Sequence, residues 1–569
     1  MDRRMRLAVI GIASALTLIA IIIIAVVVKK LTPSDEVMPL SEYYQAEDKE
    51  VVLILQDQIY SKKGLLINGR IYVDYDTVVQ EFNRRFYWDY NENILTYTTP
   101  DEIIRADASR STYTVTKSTI ETEREYDYPI AEVFVDKVYV SLDFVQQYSD
   151  LTFQYYKDPN RVVINYRWGD YLYTEVSKAT QLRYEPNIKS PILAELPVGT
   201  SLVYVDTEEA PEKGFVKVMT VDGIKGYVKK KATKEAGYKT LESSYREPEY
   251  SAQSRSKKIN LVFHQVFNQD ANGRLEELIS STKGVNVVSP TWFSIEDVSG
   301  TISSLASERY VSRANTLGLE VWALVSDFNE EVNMKELLTY TSRRDTLSNA
   351  LIEKALAYKL NGINIDFEKI PSDAGVDYIQ FLRELSVKCR NNGIVLSVDN
   401  YVPSPYTEYY DREEQGKIVD YLITMAYDEH HGNSEQAGPV SSIGFVKDAV
   451  ENILKEVPKE KVIIAIPFYT RLWKEGADGG LSSETYAMSP AAALIENSGV
   501  KAKWDDASGC YYIEYTKEDG TYKMWQEEDK SIEEKMKVIY NANVAGVAEW
   551  KLGLENPSVW NVILRYLNQ

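Results

Sequence analysis

From residue 258 onward, short apolar runs rich in β-branched residues alternate with stretches of helical periodicity, and eight such runs can be counted. They are 259–263 (INLVF), 285–289 (VNVVS), 320–326 (EVWALVS), 362–368 (GINIDFE), 394–399 (IVLSVD), 421–427 (YLITMAY), 462–468 (VIIAIPF) and 544–550 (VAGVAEW). Strands joined by helices pair in parallel, and eight such units over roughly 320 residues match a closed (β/α)8 barrel of TIM type carrying insertions. The expected class is α/β. The gap before the eighth run holds KWDDASGCYYIEYTKEDGTYKMW (503–525), which reads as an antiparallel, α+β insertion.

The fourth run carries the clearest chemical signal. Ile363, Ile365 and Phe367 alternate with Asn364, Asp366 and Glu368, so three polar side chains share one face. A solvated edge strand alternates in the same way. Barrel strands, however, are covered on both faces, so this row must point inward, where an unpaired carboxylate is costly to desolvate. Glu368 falls at the carboxyl end of its strand, the face on which barrel active sites are built, and burial there raises a carboxyl toward the range of a usable general acid.

The run NGINIDFE (361–368) resembles the D-x-x-D-x-D-x-E signature of family 18 glycoside hydrolases. MAYD (425–428) is similar to the family's M-x-Y-D, IPFYTRLW (466–473) resembles its P-F-Y-x-R-x-W segment, and AEW (548–550) ends the eighth run with the family's Trp. The resemblance covers about 258–569. It implies a retaining hydrolysis in which the substrate's own 2-acetamido group replaces the enzyme nucleophile, so that one acid is sufficient. By the same resemblance Glu368 protonates the glycosidic oxygen and later activates water, and Asp366 accepts the acetamido N–H and stabilises the oxazolinium charge. Tyr427 holds the acetamido oxygen, Asp428 supports the distorted sugar and Trp550 forms a stacking floor. Arg471 either hydrogen-bonds substrate or holds Asp428, and Trp473 joins the cleft. No metal or other cofactor is implied.

Two positions depart from the family pattern: Asn361 and Asn364 stand where Asp is common. Asn361 begins the strand and affects local hydrogen bonding. Asn364, counted among the substrate-binding residues, can donate to Asp366 but cannot exchange a proton with it. The variant G-[IV]-N-I-D-F-E looks like the branch associated with spore and cell-wall peptidoglycan, whose members act as N-acetylglucosaminidases. Trp292, Trp322, Trp504 and Trp525 are core or cleft residues, His430 and His431 read as a solvated pair, and His264 as a core histidine.

Residues 7–28 carry no charge and, at 1.5 Å per residue, span about 33 Å, enough for a bilayer core. A secretory signal is the competing reading, but its apolar part is usually shorter and ends in a small-x-small site, whereas this run ends in VVVKK. Arg3, Arg4 and Arg6 place residues 1–6 in the cytoplasm by positive-inside bias, leaving a single-pass protein of the bacterial cell membrane with an extracytoplasmic ectodomain.

Within that ectodomain, 51–173 is a β-rich stalk in which 67–97 and 135–166 each read strand, short helix, hairpin, an internal duplication. It resembles the amino-terminal, copper-free domain of copper amine oxidases, and it contains no His. Residues 175–233 have the short strands and Gly turns of a compact β-barrel and resemble a bacterial SH3 domain, either a holder of cell-wall peptides or a spacer. Residues 234–257 read as a linker.

Composition narrows the partners. Lys plus Arg number 64 against 85 Asp plus Glu, a formal charge of −21, and no basic block stands out to track phosphates, so nucleic acid is not an expected partner. Cys389 and Cys510 are too isolated for a disulfide framework or a zinc cluster. The expectation is a membrane-anchored glycosidase acting on β-1,4-linked N-acetylglucosamine glycans, with peptidoglycan favoured. A chitinase or chitooligosaccharide hydrolase is the alternative within the enzyme class. An inactive carbohydrate-binding module is the alternative outside it, its usual mark being loss of the acid that Glu368 retains here.

Overall fold

All eight apolar runs form strands: β1 (Ile259–His264), β2 (Val287–Ile295), β3 (Glu320–Ser326), β4 (Gly362–Asp366), β5 (Val395–Tyr401), β6 (Tyr421–Met425), β7 (Val462–Pro467) and β8 (Gly546–Trp550). Each pairs in parallel with the next from β1 to β7, β8 pairs with β7, and β8 also pairs with β1, closing the barrel. The computed structural model describes residues 2–205, 214–477 and 479–567. Contacts divide the chain into two compact units, Met1–Arg84 with Pro129–Glu247, and Arg85–Tyr128 with Pro248–Gln569.

Alternation along each strand sorts the barrel's side chains into two layers. Leu261, Phe263, Leu324, Ile423 and Ala548 fill the inside, whereas Val262, Val325, Ile363, Ile365 and Val547 pack outward against the helices. The lower barrel is plugged by Trp322, stacked on Tyr421 with ring centroids 5.3 Å apart. This plug explains why β4 opens with glycine: a Cβ at Gly362 would stand 2.7 Å from Trp322 Cδ1.

Between β7 and β8 the expected insertion is an antiparallel five-stranded sheet with one helix, Met488–Ser498. Its strands Tyr469–Gly476, Leu481–Ala487, Lys503–Asp505, Cys510–Lys517 and Gly520–Gln526 enclose a small core of Leu472, Ala491, Ile513 and Met524.

The barrel's unit also contains a second sheet, an antiparallel meander drawn from residues 85–128. Its five strands are Tyr87–Asp89, Ile94–Thr98, Ile103–Asp107, Thr112–Thr116 and Glu121–Glu125. It meets the barrel helices Thr341–Tyr358 and Gly375–Asn391 through charge. Asp89 Oδ2 accepts the Thr341 N–H at 2.6 Å, capping a helix that has no side-chain cap of its own. Tyr87 donates to Asp377 Oδ1 at 2.6 Å, and Arg105 pairs with Asp345 at 3.0 Å and with Glu384 at 3.4 Å. Arg344, fully buried, donates to Glu384 at 3.1 Å and to the Tyr87 hydroxyl at 3.2 Å.

The other unit has two sheets and, at its amino end, the helix Arg3–Leu31. That helix has a mean hydropathy of 2.9 over its most apolar window and buries none of its residues, so by length and composition it can cross a membrane or serve as a signal sequence. In the first sheet, Arg70–Asp74 and Lys137–Ser141, the opening strands of the two similar segments, pair antiparallel. Each segment has the same order of elements: strand, helical turn, hairpin.

The second sheet surrounds a core of Val176, Leu182, Leu202, Val218 and Val228. Residues 234–257, expected as a linker, contribute to structure. Gly237–Leu241 is a strand that pairs along Gly169–Glu175. Further on, Arg255 binds Glu320 at 2.7 Å, an ion pair that anchors the chain where it enters the barrel.

Candidate active site

The polar row of β4 points into the barrel, with Asn364 and Asp366 buried and Glu368 half-buried just past the strand. A cavity of about 1260 Å³ opens at this carboxyl end. Glu368, Asp366, Tyr427, Asp428 and Trp550 all line it, so five of the eight expected site residues converge there from three strands. Rim aromatics Phe267, Phe328 and Tyr406 are substantially exposed around the opening.

Glu368 is held from below. Asp327, one residue beyond β3, accepts the backbone N–H of Glu368 at 2.9 Å and that of Lys369 at 2.8 Å. Burial pushes the Glu368 carboxyl above its ordinary value; a hydrogen bond from Tyr401 opposes the push, while the charges of Asp327 and Asp428 add to it. An acid in this environment keeps its proton further toward neutral pH than a solvated glutamate. Asp366 is pushed up more strongly, first by burial and then by the charges of Asp399, Glu368 and Asp327. The Tyr427 hydroxyl is likewise raised by burial and by Asp399 and Asp366, so it is a neutral hydrogen-bond donor.

Asp428 stands at the cavity edge with φ 56°, a left-handed conformation that Asp tolerates better than most residues. The Tyr469 hydroxyl donates to its Oδ1 at 2.5 Å. Trp550 leans on Phe263 with centroids 5.4 Å apart and forms one wall of the cavity.

Three expected residues lie elsewhere. Asn364 does not line the cavity, and its amide donates to Asp399 Oδ2 at 2.7 Å rather than to Asp366, while its oxygen accepts from Ser397 at 2.7 Å. Trp473 is fully buried, its indole N–H donating to the Gly438 carbonyl at 2.7 Å, so it is held against the loop that follows β6 and offers no stacking face. Arg471 lines a smaller adjoining cavity of about 300 Å³ with Asp428, Tyr469 and Trp550. It donates to Ser483 at 2.9 Å, and the partner that holds Asp428 is Tyr469.

Among the further candidates, Trp292 and His431 reach the cavity, whereas Trp322 is the barrel plug. His264 is buried, meets the Tyr310 hydroxyl at 2.9 Å and is held down to about 4 by burial. Reading the sequence missed Asp327, Asp399 and Tyr401, all of which line or support the site. The signal for Asp399 was available: Ser397 and Asp399 alternate with Leu396 and Val398 as the polar residues of β4 alternate with its isoleucines.

Comparison with known proteins agrees with this geometry. The Cortical fragment-lytic enzyme of Bacillus subtilis (strain 168) is 29% identical over 251 residues, covering 42% of this chain and 57% of that protein. The chain thus spans just over half the length of this relative. The enzyme of the same name from Bacillus cereus is 26% identical over 309 residues, covering 51% of this chain and 70% of that protein. The crystallised C-terminal domain of a chitinase-type protein from Desulfitobacterium hafniense DCB-2 superposes with a TM-score of 0.50 at 22% identity, covering 55% of this chain and 99% of that one, a likeness of fold. The sequence profile described as Glycosyl hydrolases family 18 matches residues 234–555, more than half of the chain, and spans all eight barrel strands; the chain belongs to that family.

Proposed function

We propose that the chain is a membrane-anchored, extracytoplasmic glycosidase that hydrolyses β-1,4-linked N-acetylglucosamine glycans, with peptidoglycan as the substrate, by substrate-assisted retaining catalysis. The observation that carries this reading is Glu368: a half-buried acid whose proton is held by its surroundings, at the mouth of a cavity that also presents Asp366 and Tyr427. Glu368 gives its proton to the glycosidic oxygen as the bond to C1 breaks. The acetamido oxygen, positioned by Tyr427, closes on C1, and Asp366 accepts the hydrogen bond of the acetamido N–H as positive charge develops there. The Glu368 carboxylate then takes a proton from the water that opens the ring, and the configuration at C1 is retained.

Peptidoglycan is favoured over chitin because relatives at 29% and 26% identity are named for lysis of cortical fragments. The helix Arg3–Leu31 serves in this reading as an anchor. Residues 51–173, apart from the meander of 85–128 that belongs to the barrel's unit, act as a stalk and 175–233 as an SH3-like wall-binding module, and together they keep the catalytic barrel at high effective concentration near the wall.

The test is to incubate the full chain in detergent with purified peptidoglycan and with chitin oligomers, beside Glu368→Gln, and to identify new reducing ends by mass spectrometry. N-acetylglucosamine ends from the parent alone, released faster from peptidoglycan, are expected. Faster release from chitin oligomers would reassign the substrate. Binding without cleavage by either protein would replace the glycosidase by a carbohydrate-binding module.

A further inference from the structure

The buried Asp399 has no role in the steps above, yet it sits at the centre of the site. Asn364 on β4 and Ser397 on β5 are register partners. Asp366 and Asp399, two residues further along these parallel strands, therefore fall side by side on the inner face, across a strand spacing of about 4.8 Å. Both line the cavity. In each, Oδ1 is buried and accepts no hydrogen bond from any described residue. They differ in one respect: Asp399 Oδ2 receives the Asn364 amide at 2.7 Å, while among the described residues no comparable bond reaches Asp366.

We infer that Asp399 is the proton-sharing partner of Asp366, a positioning residue that lets a single proton move between the two carboxyl groups during turnover. Two adjacent buried carboxyls do not both ionise, so the pair carries one proton and one negative charge. Asn364 stabilises the charge on Asp399, so the proton rests on Asp366. When the sugar's acetamido nitrogen becomes cationic, that proton passes from Asp366 to the free oxygen of Asp399, leaving the Asp366 anion facing the cation. It returns when water restores the neutral acetamide. The charge of the pair stays at minus one throughout, and nothing else is consumed.

The other groups that act on the pair are consistent with a shared proton. Glu368 and Asp327 are acidic, and Tyr427 and Tyr378 are phenols held neutral by burial. None of them is a cation that would let both carboxyls ionise. Burial raises both Asp366 and Asp399 well above the ordinary range. The position that commonly carries Asp in the family is Asn364 here, so the exchangeable carboxyl stands one strand over.

This inference rests on the proposed glycosidase reading, and its test separates the two. Infrared titration of the full chain follows the C=O stretch of protonated carboxyls without any turnover. Subtracting Asp399→Asn from the parent isolates a band that persists to higher pH in the parent, because Asp366 loses its like-charged neighbour in the variant. In the pH profile of kcat/KM, Asp399→Asn lowers the rate at least about tenfold. It also moves the basic limb, since the negative charge that acts on Glu368 shifts from Asp399 to Asp366. The exchange Asn364→Asp with Asp399→Asn, which returns the carboxyl to β4, restores most of the lost rate.

An unchanged infrared band overturns the inference, whatever the activity. So does a loss of rate with an unmoved basic limb and no rescue by the exchange, which marks a merely structural residue. A parent that cleaves neither glycan refutes the proposed function, while the infrared titration still decides whether the proton is shared.

Discussion

Glu549 offers a stability measurement whose sign follows from the fold. It is the fourth residue of β8, and alternation places it with Val547 on the outer face, against the helices. It is fully buried, and neither carboxyl oxygen accepts a hydrogen bond from any described residue. Burial, with a further push from Glu555, raises it well above its ordinary value of 4.5. In the unfolded chain the carboxyl loses its proton above that value, and in the folded chain it keeps it. Folding therefore takes up a proton, and the resulting penalty is absent below pH 4.5 and grows by about 1.4 kcal/mol per pH unit above it until the folded carboxyl ionises.

Glu549→Gln keeps the shape and removes the titration. The variant is expected to match the parent near pH 4 and to gain on it above 4.5 by up to about 1.4 kcal/mol per pH unit, so that it is the more stable protein at pH 7. Urea unfolding read by tryptophan fluorescence suits the measurement, because of the nine tryptophans only Trp168 lies outside the barrel's unit. Parallel stability profiles for parent and variant across this interval, or a variant weaker at pH 7, would refute the reasoning.

Glu384 is fully buried between Arg344 and Arg105, so Glu384→Gln leaves guanidinium charge without its counter-charge and is expected to cost about 3–5 kcal/mol in the same unfolding assay. Tyr469→Phe removes the hydroxyl that holds Asp428 at the cavity edge; kcat on the cleaved glycan should fall about tenfold, with unfolding within about 0.5 kcal/mol of the parent if the ring's packing is kept.

The barrel was legible because its signal is long range and redundant: eight apolar runs at helical intervals leave almost no other closed arrangement. Positions on β4 were legible for the same reason, since strand alternation assigns faces without knowledge of neighbours. What alternation cannot say is which side chain a polar group meets across the sheet. Asn364 was therefore paired in advance with Asp366, two residues away on its own strand, whereas its amide reaches Asp399 on the next one. Trp473 failed for a related reason. It lies in a motif that borders the cleft, but it sits on the insertion strand Tyr469–Gly476, with Arg471 and Trp473 sharing a face that the sequence could not assign to cavity or core. Asp327 carried no periodic signal, since it follows its strand and acts through backbone N–H groups.

The limits of the catalytic unit were the least legible feature. Apolar periodicity begins the barrel at 258, yet residues 85–128 belong to the same compact unit, some 130 residues earlier in sequence. The reason lies in charged groups that a hydropathy pattern does not register. Helix Thr341–Tyr358 lacks a side-chain cap of its own and takes one from Asp89; Asp345 and Glu384 on the two barrel helices take Arg105. A chain of residues 248–569 would keep every barrel strand and every residue of the cavity. It would also lose the cap, worth about 1 kcal/mol, and leave the Glu384 side of the network with one guanidinium fewer. Such a truncated chain is expected to unfold at a lower urea concentration than the full chain, and to be partly rescued by Thr341→Pro, which removes the N–H that Asp89 accepts at the first helical position, where proline is tolerated. Coincident tryptophan-detected transitions for the truncated and full chains would show that the meander is not energetically part of the catalytic unit.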